Sequence, residues 1–102
     1  MAKREIIEAL RKYILVLRSE GIIVDKAFLY GSHLSDTVTI DSDIDIMIVT
    51  DKEDDDLTGK IWSLTRKVNS KIEPYLVTKG RFDNTVHSPL IDLVKKTGLE
   101  IT

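Results

Sequence analysis

No cysteine occurs in this sequence, which excludes disulfide staples and thiolate-held metals at once. Nor does any apolar run approach the ~18 residues of a membrane span, and the charged start MAKREIIE is unlike a signal peptide. The cytoplasm is the expected location, with no membrane association. A basic excess is missing too: 15 Lys and Arg face 17 Asp and Glu, for a formal charge of −2. A nucleic-acid surface normally needs that excess, so direct nucleic-acid binding is not expected. Repeats and low-complexity linkers are absent as well. What remains is 102 residues, 42% hydrophobic and 31% charged, the composition of an ordinary globular chain. That length predicts a single domain over residues 1–102, able to bury about two-thirds of its unfolded surface.

Residues 3–20 carry Ile6, Ile7, Leu10, Ile14 and Leu17 at helical spacing, and Gly21 stands where a helix would stop. The spacing recurs over 56–70 in Leu57, Ile61, Leu64 and Val68. Asp54-Asp55-Asp56 precedes it, with charges that suit a helix N-terminus. This acidic run reads as a capped, solvated loop, with a metal site as the competing reading. Ser88-Pro89 reads as the cap and first residue of a third helix bearing Leu90, Ile91 and Val94, closed by Gly98. Strands are predicted over 23–30, 43–50, 71–77 and 99–101. Pro74 places the third at an edge, or interrupts it, because proline has no N–H to give a ladder. The connection between the first two strands is too short for a normal helical crossover, so that pair is expected to be antiparallel or mixed. The fold class is therefore α/β (α+β), a small mixed sheet of about four strands with helices packed on it.

The chemistry concentrates in residues 28–50, FLYGSHLSDTVTIDSDIDIMIVT. Asp43 and Asp45 are two apart at the start of a strand, so both point to one face, with Cα atoms roughly 6.5–7 Å apart. Two carboxylates some 5 Å apart repel by roughly 3 kcal/mol at an effective dielectric of about 20. A cation, a proton or a solvated edge must offset that cost. The hard cation that suits carboxylate oxygens, while keeping waters and substrate phosphates as further ligands, is Mg²⁺. Gly31-Ser32 follows a strand, and its amides and hydroxyl suit phosphate oxygens. On its own such a pair is a common turn. Neither the P-loop pattern GxxxxGK[ST] nor a dinucleotide fingerprint is present. A calcium loop fails as well, since Ile46 occupies the required glycine position and Lys52 the required glutamate. Asp41 shares the parity of Asp43 and Asp45 but reads as a turn residue. Glu73, which interrupts the apolar strand KIEPYLV, is the candidate third carboxylate; the competing reading is a solvent-facing side chain.

Gly31-Ser32 and Asp43-Ile44-Asp45, spaced as G-S-x₁₀-D-x-D, resemble the signature of the minimal nucleotidyltransferases of the DNA polymerase β superfamily. The likeness extends through IEPYLVTKGRF and SPLIDLVKKTGLEI, nearly the whole chain. It implies that Asp43 and Asp45 ligate two Mg²⁺ ions and that Gly31 and Ser32 hold the terminal phosphates of ATP or another NTP. It also implies that Glu73, at the position of the third family carboxylate, ligates one metal and helps to deprotonate an acceptor hydroxyl. Stand-alone members of this type often accompany a helical HEPN-domain partner, as antitoxin to its RNase, and some transfer AMP to a tyrosine of that partner. With about 25 residues left after the catalytic strands, too few for an acceptor-binding domain, the acceptor is expected to be met by this domain, a homo-oligomer or such a partner.

One departure stands out. The family commonly reads GSxARG, whereas Leu34, Ser35 and Asp36 stand where Ala, Arg and Gly are usual. The arginine that would face phosphate is missing, and an aspartate stands close by. Two functions follow from the sequence: a Mg²⁺-dependent nucleotidyltransferase, or a catalytically faded antitoxin subunit acting by complex formation. Transfer to a small molecule such as an aminoglycoside is a weaker third. Less is expected of the remaining residues. His33 reads as a loop histidine, His87 lacks a partner at ligand spacing, Trp62 reads as core or half-buried packing, and Lys67 and Lys71 as a solvated helix end.

Overall fold

A computed structural model of the chain describes residues 3–31, 43–84 and 88–102. Helix α1, Lys3–Ser19, buries Ile6, Leu10, Tyr13, Ile14 and Leu17 along one stripe, while Arg4 and Glu8 pair across one turn of its outer face. Gly21 ends it with φ +81°, a conformation that costs glycine nothing. There the Gly21 N–H reaches the Arg18 carbonyl and the Ile22 N–H reaches Leu17 O, both at 3.1 Å, so the last carbonyls are satisfied.

The strands are β1 (Lys26–Tyr30), β2 (Ile44–Thr50), β3 (Ile72–Thr78) and β4 (Leu99–Glu100), in the order β3-β2-β1-β4. β1 pairs antiparallel with both β2 and β4, and β2 pairs parallel with β3 through the connection that carries helix α2, Asp55–Leu64. The mixed sheet expected from the sequence is present. The first strand starts later than expected. Ile22 and Val24 are buried and Ile23 is exposed, an alternation that reads as strand. The Val24 carbonyl instead accepts from the Arg18 guanidinium at 2.9 Å, and ladder pairing begins only beyond it.

Asp54 caps α2, accepting the Leu57 N–H at 2.7 Å, so the acidic run is a helix cap at the C-terminal end of β2. The helix tightens into a 3-10 turn over Thr65–Lys67 rather than running on to residue 70. The sequence reading missed helix α3, Lys79–Asp83, capped by Thr78 and burying Phe82. Helix α4, Pro89–Thr97, begins as expected: the Ser88 hydroxyl accepts the Ile91 N–H and Pro89 occupies the first turn.

β3 is an edge strand, and Pro74 sits on it without loss. The Ile44 N–H donates to the Lys71 carbonyl at 2.8 Å, which turns the odd-numbered residues of β3 toward β2 and the even-numbered ones outward. Of the outward residues, Ile72 gives its N–H to Asn69 O, Thr78 gives its N–H to Glu53 Oε1, and Pro74 has none to give. An edge with so few donors to offer resists pairing with another chain.

Alternation along the strands divides the side chains between two layers. Ala27, Leu29, Ile44, Ile46, Ile48 and Ile72 face α1 and α2 in one apolar core. Phe28, Met47, Val49 and Val77 face the other way, under Phe82, Ile91 and Val94 of α3 and α4. Phe82 stacks on Phe28 with ring centroids 5.2 Å apart. Among the described residues no helix is long and apolar enough to cross a membrane.

Candidate active site at the open end of the sheet

The register of the sheet assembles the candidate site. Tyr30 pairs with Asp45, and Asp45 pairs with Glu73, so one row across three strands carries all three side chains on one face. Asp43 lies two residues before Asp45 on that face and is exposed; Asp45 and Glu73 are half-buried. This is the face of Phe28, Met47 and Val77, at the end where partly buried Tyr30 packs against the α3–α4 core cluster.

The carboxylates interact. Partial burial pushes the Glu73 carboxyl above its ordinary range, and the charge of Asp43, a hydrogen bond with Asp43 and the charge of Asp45 push the same way. Among the described residues no three such groups stand preset as a ligand cage. The donor set is nonetheless suited to a hard divalent cation, whose charge would relieve the repulsion raising Glu73. The Tyr30 phenol is pushed up to about 12, by burial first and then by Asp45, Tyr75 and Glu73.

Gly31 adjoins the cluster with φ +83°, and a Cβ built there would land on Asp45 Oδ2. Only glycine lets the backbone pass so close to that carboxylate. Ser32, the other half of the expected phosphate turn, lies outside the described residues, as do His33, Leu34, Ser35, Asp36, Asp41 and His87.

Other sequence candidates fall away from this cluster. Trp62 is 44% exposed, not core, and sits on α2 on the opposite side of the sheet. Lys67 pairs with Glu20 at 3.9 Å. Asp54 caps α2 at the far end of β2, a strand of seven residues and hence about 20 Å long.

Sequence reading did not single out a neighbouring set on the same face. Tyr75, two residues beyond Glu73, is 37% exposed, and its hydroxyl accepts from Arg81 Nη2 at 3.4 Å. Arg81 Nη1 donates to both oxygens of Glu53, at 2.8 and 2.9 Å. Strand parity was the available signal for Tyr75, and the register opposite Asp45 was that for Tyr30.

The family model for the nucleotidyltransferase domain matches residues 5–100, and the chain belongs to that family. The family generally uses an NTP and a divalent metal. A solved structure from Sulfolobus solfataricus, of a protein thought to be a nucleotidyltransferase, superposes with a TM-score of 0.62 at 13% identity. It covers 97% of this chain and 81% of its own, and at that identity the likeness speaks for the fold alone. No functionally curated protein matches the chain.

Proposed function

We propose that this chain is a Mg²⁺-dependent nucleotidyltransferase that transfers AMP from ATP to a hydroxyl of a partner protein, a tyrosine of a helical HEPN-type partner in an antitoxin-like role. The observation that carries the catalytic part is the convergence of Asp43, Asp45 and Glu73 beside the Gly31 backbone. In this reading the chain acts as a single domain over 1–102, with Asp43, Asp45 and Glu73 holding two Mg²⁺ ions and Gly31 and Ser32 cradling the phosphates. Bound there, the metal supplies charge for the triphosphate and the leaving pyrophosphate, and acidity for the attacking hydroxyl. The chain's own residues do the rest. Asp43 and Asp45 would hold the metal that meets the reacting phosphate, Gly31 lets the backbone approach it, and the Glu73 carboxylate takes the acceptor proton.

The test is calorimetric titration of MgATP into the chain and into the Asp43→Ala, Asp45→Ala double variant. Binding by the first and loss of at least about a hundredfold by the second is expected, with the variant still folded. Equal binding by both would refute the carboxylate assignment. Leu34-Ser35-Asp36 in place of Ala-Arg-Gly favours a second reading, a binding subunit whose site no longer holds nucleotide. Absence of binding at millimolar MgATP, with capture of a helical partner independent of Asp43 and Asp45, would establish it.

A further inference from the structure

The two edges of the sheet differ. On β3 the outward N–H groups of Ile72 and Thr78 are already engaged and Pro74 has none, but β4 keeps its edge open. The Ile101 N–H donates to Ala27 O at 2.8 Å, which turns the N–H and carbonyl of Glu100 away from β1. Among the described residues no strand lies beyond β4. Between β4 and α1 lies a groove of about 230 Å³, lined by Ile14, Leu15, Ile101 and Thr102 and by the arginines Arg11 and Arg18. Leu15 is 65% exposed there, the most open large hydrophobic side chain among the described residues. Neither arginine meets a carboxylate among those residues: Glu8, three residues before Arg11, pairs with Arg4 instead. Arg18 gives Nη2 to the neutral Val24 carbonyl and keeps its charge.

From this geometry we infer that the groove between α1 and β4 docks an extended acidic segment of another protein, which adds a fifth strand to the sheet beside Glu100. The inference is independent of the transferase reading. The Glu100 N–H and carbonyl supply the ladder, and alternate side chains of the incoming strand turn toward α1. Arg11 and Arg18 are seven residues apart, roughly 10.5 Å along the helix axis. Strand residues four apart are separated by roughly 13 Å, a span that two long guanidinium arms can match. An acidic residue at each end and an apolar one midway would therefore meet both arginines and cover Leu15 between them. This chain contains no such pentad, so a second copy does not supply the segment. Its two acidic pairs at that spacing, Asp41 with Asp45 and Asp51 with Asp55, hold Asp43 and Glu53 at the middle. A docked helix would cover Leu15 but gain nothing from the open edge.

The probe is the acetylated, amidated peptide Thr-Glu-Thr-Val-Thr-Glu-Thr, titrated into the nitrogen-labelled full chain and followed by NMR. Saturable shifts are expected at the Leu15, Glu100 and Ile101 amides, with slowed hydrogen exchange at the Glu100 N–H. Added salt should weaken the complex, because both arginines are exposed. Arg11→Glu removes no contact within the fold and should weaken the peptide by about threefold to tenfold, with an unchanged unfolding midpoint. The same peptide with Lys in place of Glu should bind more weakly still. No saturable shift at millimolar peptide, or affinity indifferent to Arg11→Glu, would overturn the inference. Binding that leaves exchange at Glu100 unchanged would refute strand addition and overturn it as well. Concentration-dependent dimerisation abolished by Leu15→Glu would give the groove to a second copy, again against the inference.

Discussion

The two faces of β2 carry opposite kinds of residue for opposite ends. On one face Ile44, Ile46 and Ile48 are at most 1% exposed beneath α1 and α2. On the other, Met47 and Val49 are as deeply buried, but Asp45 is only half-buried and Asp43 is exposed. Each buried isoleucine contributes roughly 1.5–3 kcal/mol. The carboxylate repulsion costs at most roughly the same for a pair. A strand sealed along its whole length on one side can therefore hold unfavourable charge at one end of the other. Burial and charge thus lie side by side between Asp43 and Val49.

Substitutions on each face should break that division differently. Ile46→Ala empties part of the sealed face and should cost about 2–5 kcal/mol, read as a lower denaturant midpoint with unchanged slope. The carboxylates should still bind Mg²⁺ in the fraction that remains folded. Gly31→Ala strikes the open end, where φ +83° is strained for alanine and the new methyl meets Asp45. It should cost about 1–3 kcal/mol, and, unlike Ile46→Ala, it should weaken MgATP binding per folded molecule.

The smallest expected effect has the opposite sign. A carboxyl whose proton affinity is higher folded than unfolded binds more protons when folded, so stability falls as pH rises from the ordinary value of 4.5 through the raised one. Below that window the penalty is absent; above it the penalty is complete. Glu73→Gln should then be slightly more stable than the parent chain at pH 7, by less than about 1 kcal/mol because the group is half-exposed. Near pH 4 the difference should vanish. Thermal unfolding at the two pH values checks it.

Much of this was legible in the residues. Asp43 and Asp45 announce a shared face by their spacing, Pro74 announces an edge, and Gly21 announces a left-handed helix stop; all three are local facts of backbone geometry. The pairing of Asp45 with Glu73 is not local, since 27 residues of connection set that register; Glu73 stood out by interrupting an apolar strand, and the likeness to a family strengthened it. Helix α3 escaped because it is five residues long and contains Gly80, so neither periodicity nor propensity marks it. Its signal was Thr78 as a cap ahead of Phe82. Ile22-Ile23-Val24 alternates like a strand, yet Arg18, six residues back, claims the Val24 carbonyl. The clasp of Arg81 on Glu53 depends on that same unread helix.

The central claim is that Asp43, Asp45 and Glu73 form one cation site. Following the Glu73 side-chain carboxyl carbon by NMR across pH, with and without Mg²⁺, tests it most directly. The account predicts a midpoint above the ordinary carboxylate range without the ion, and a fall on adding Mg²⁺ that Asp43→Ala, Asp45→Ala removes. An ordinary midpoint indifferent to Mg²⁺ would contradict it.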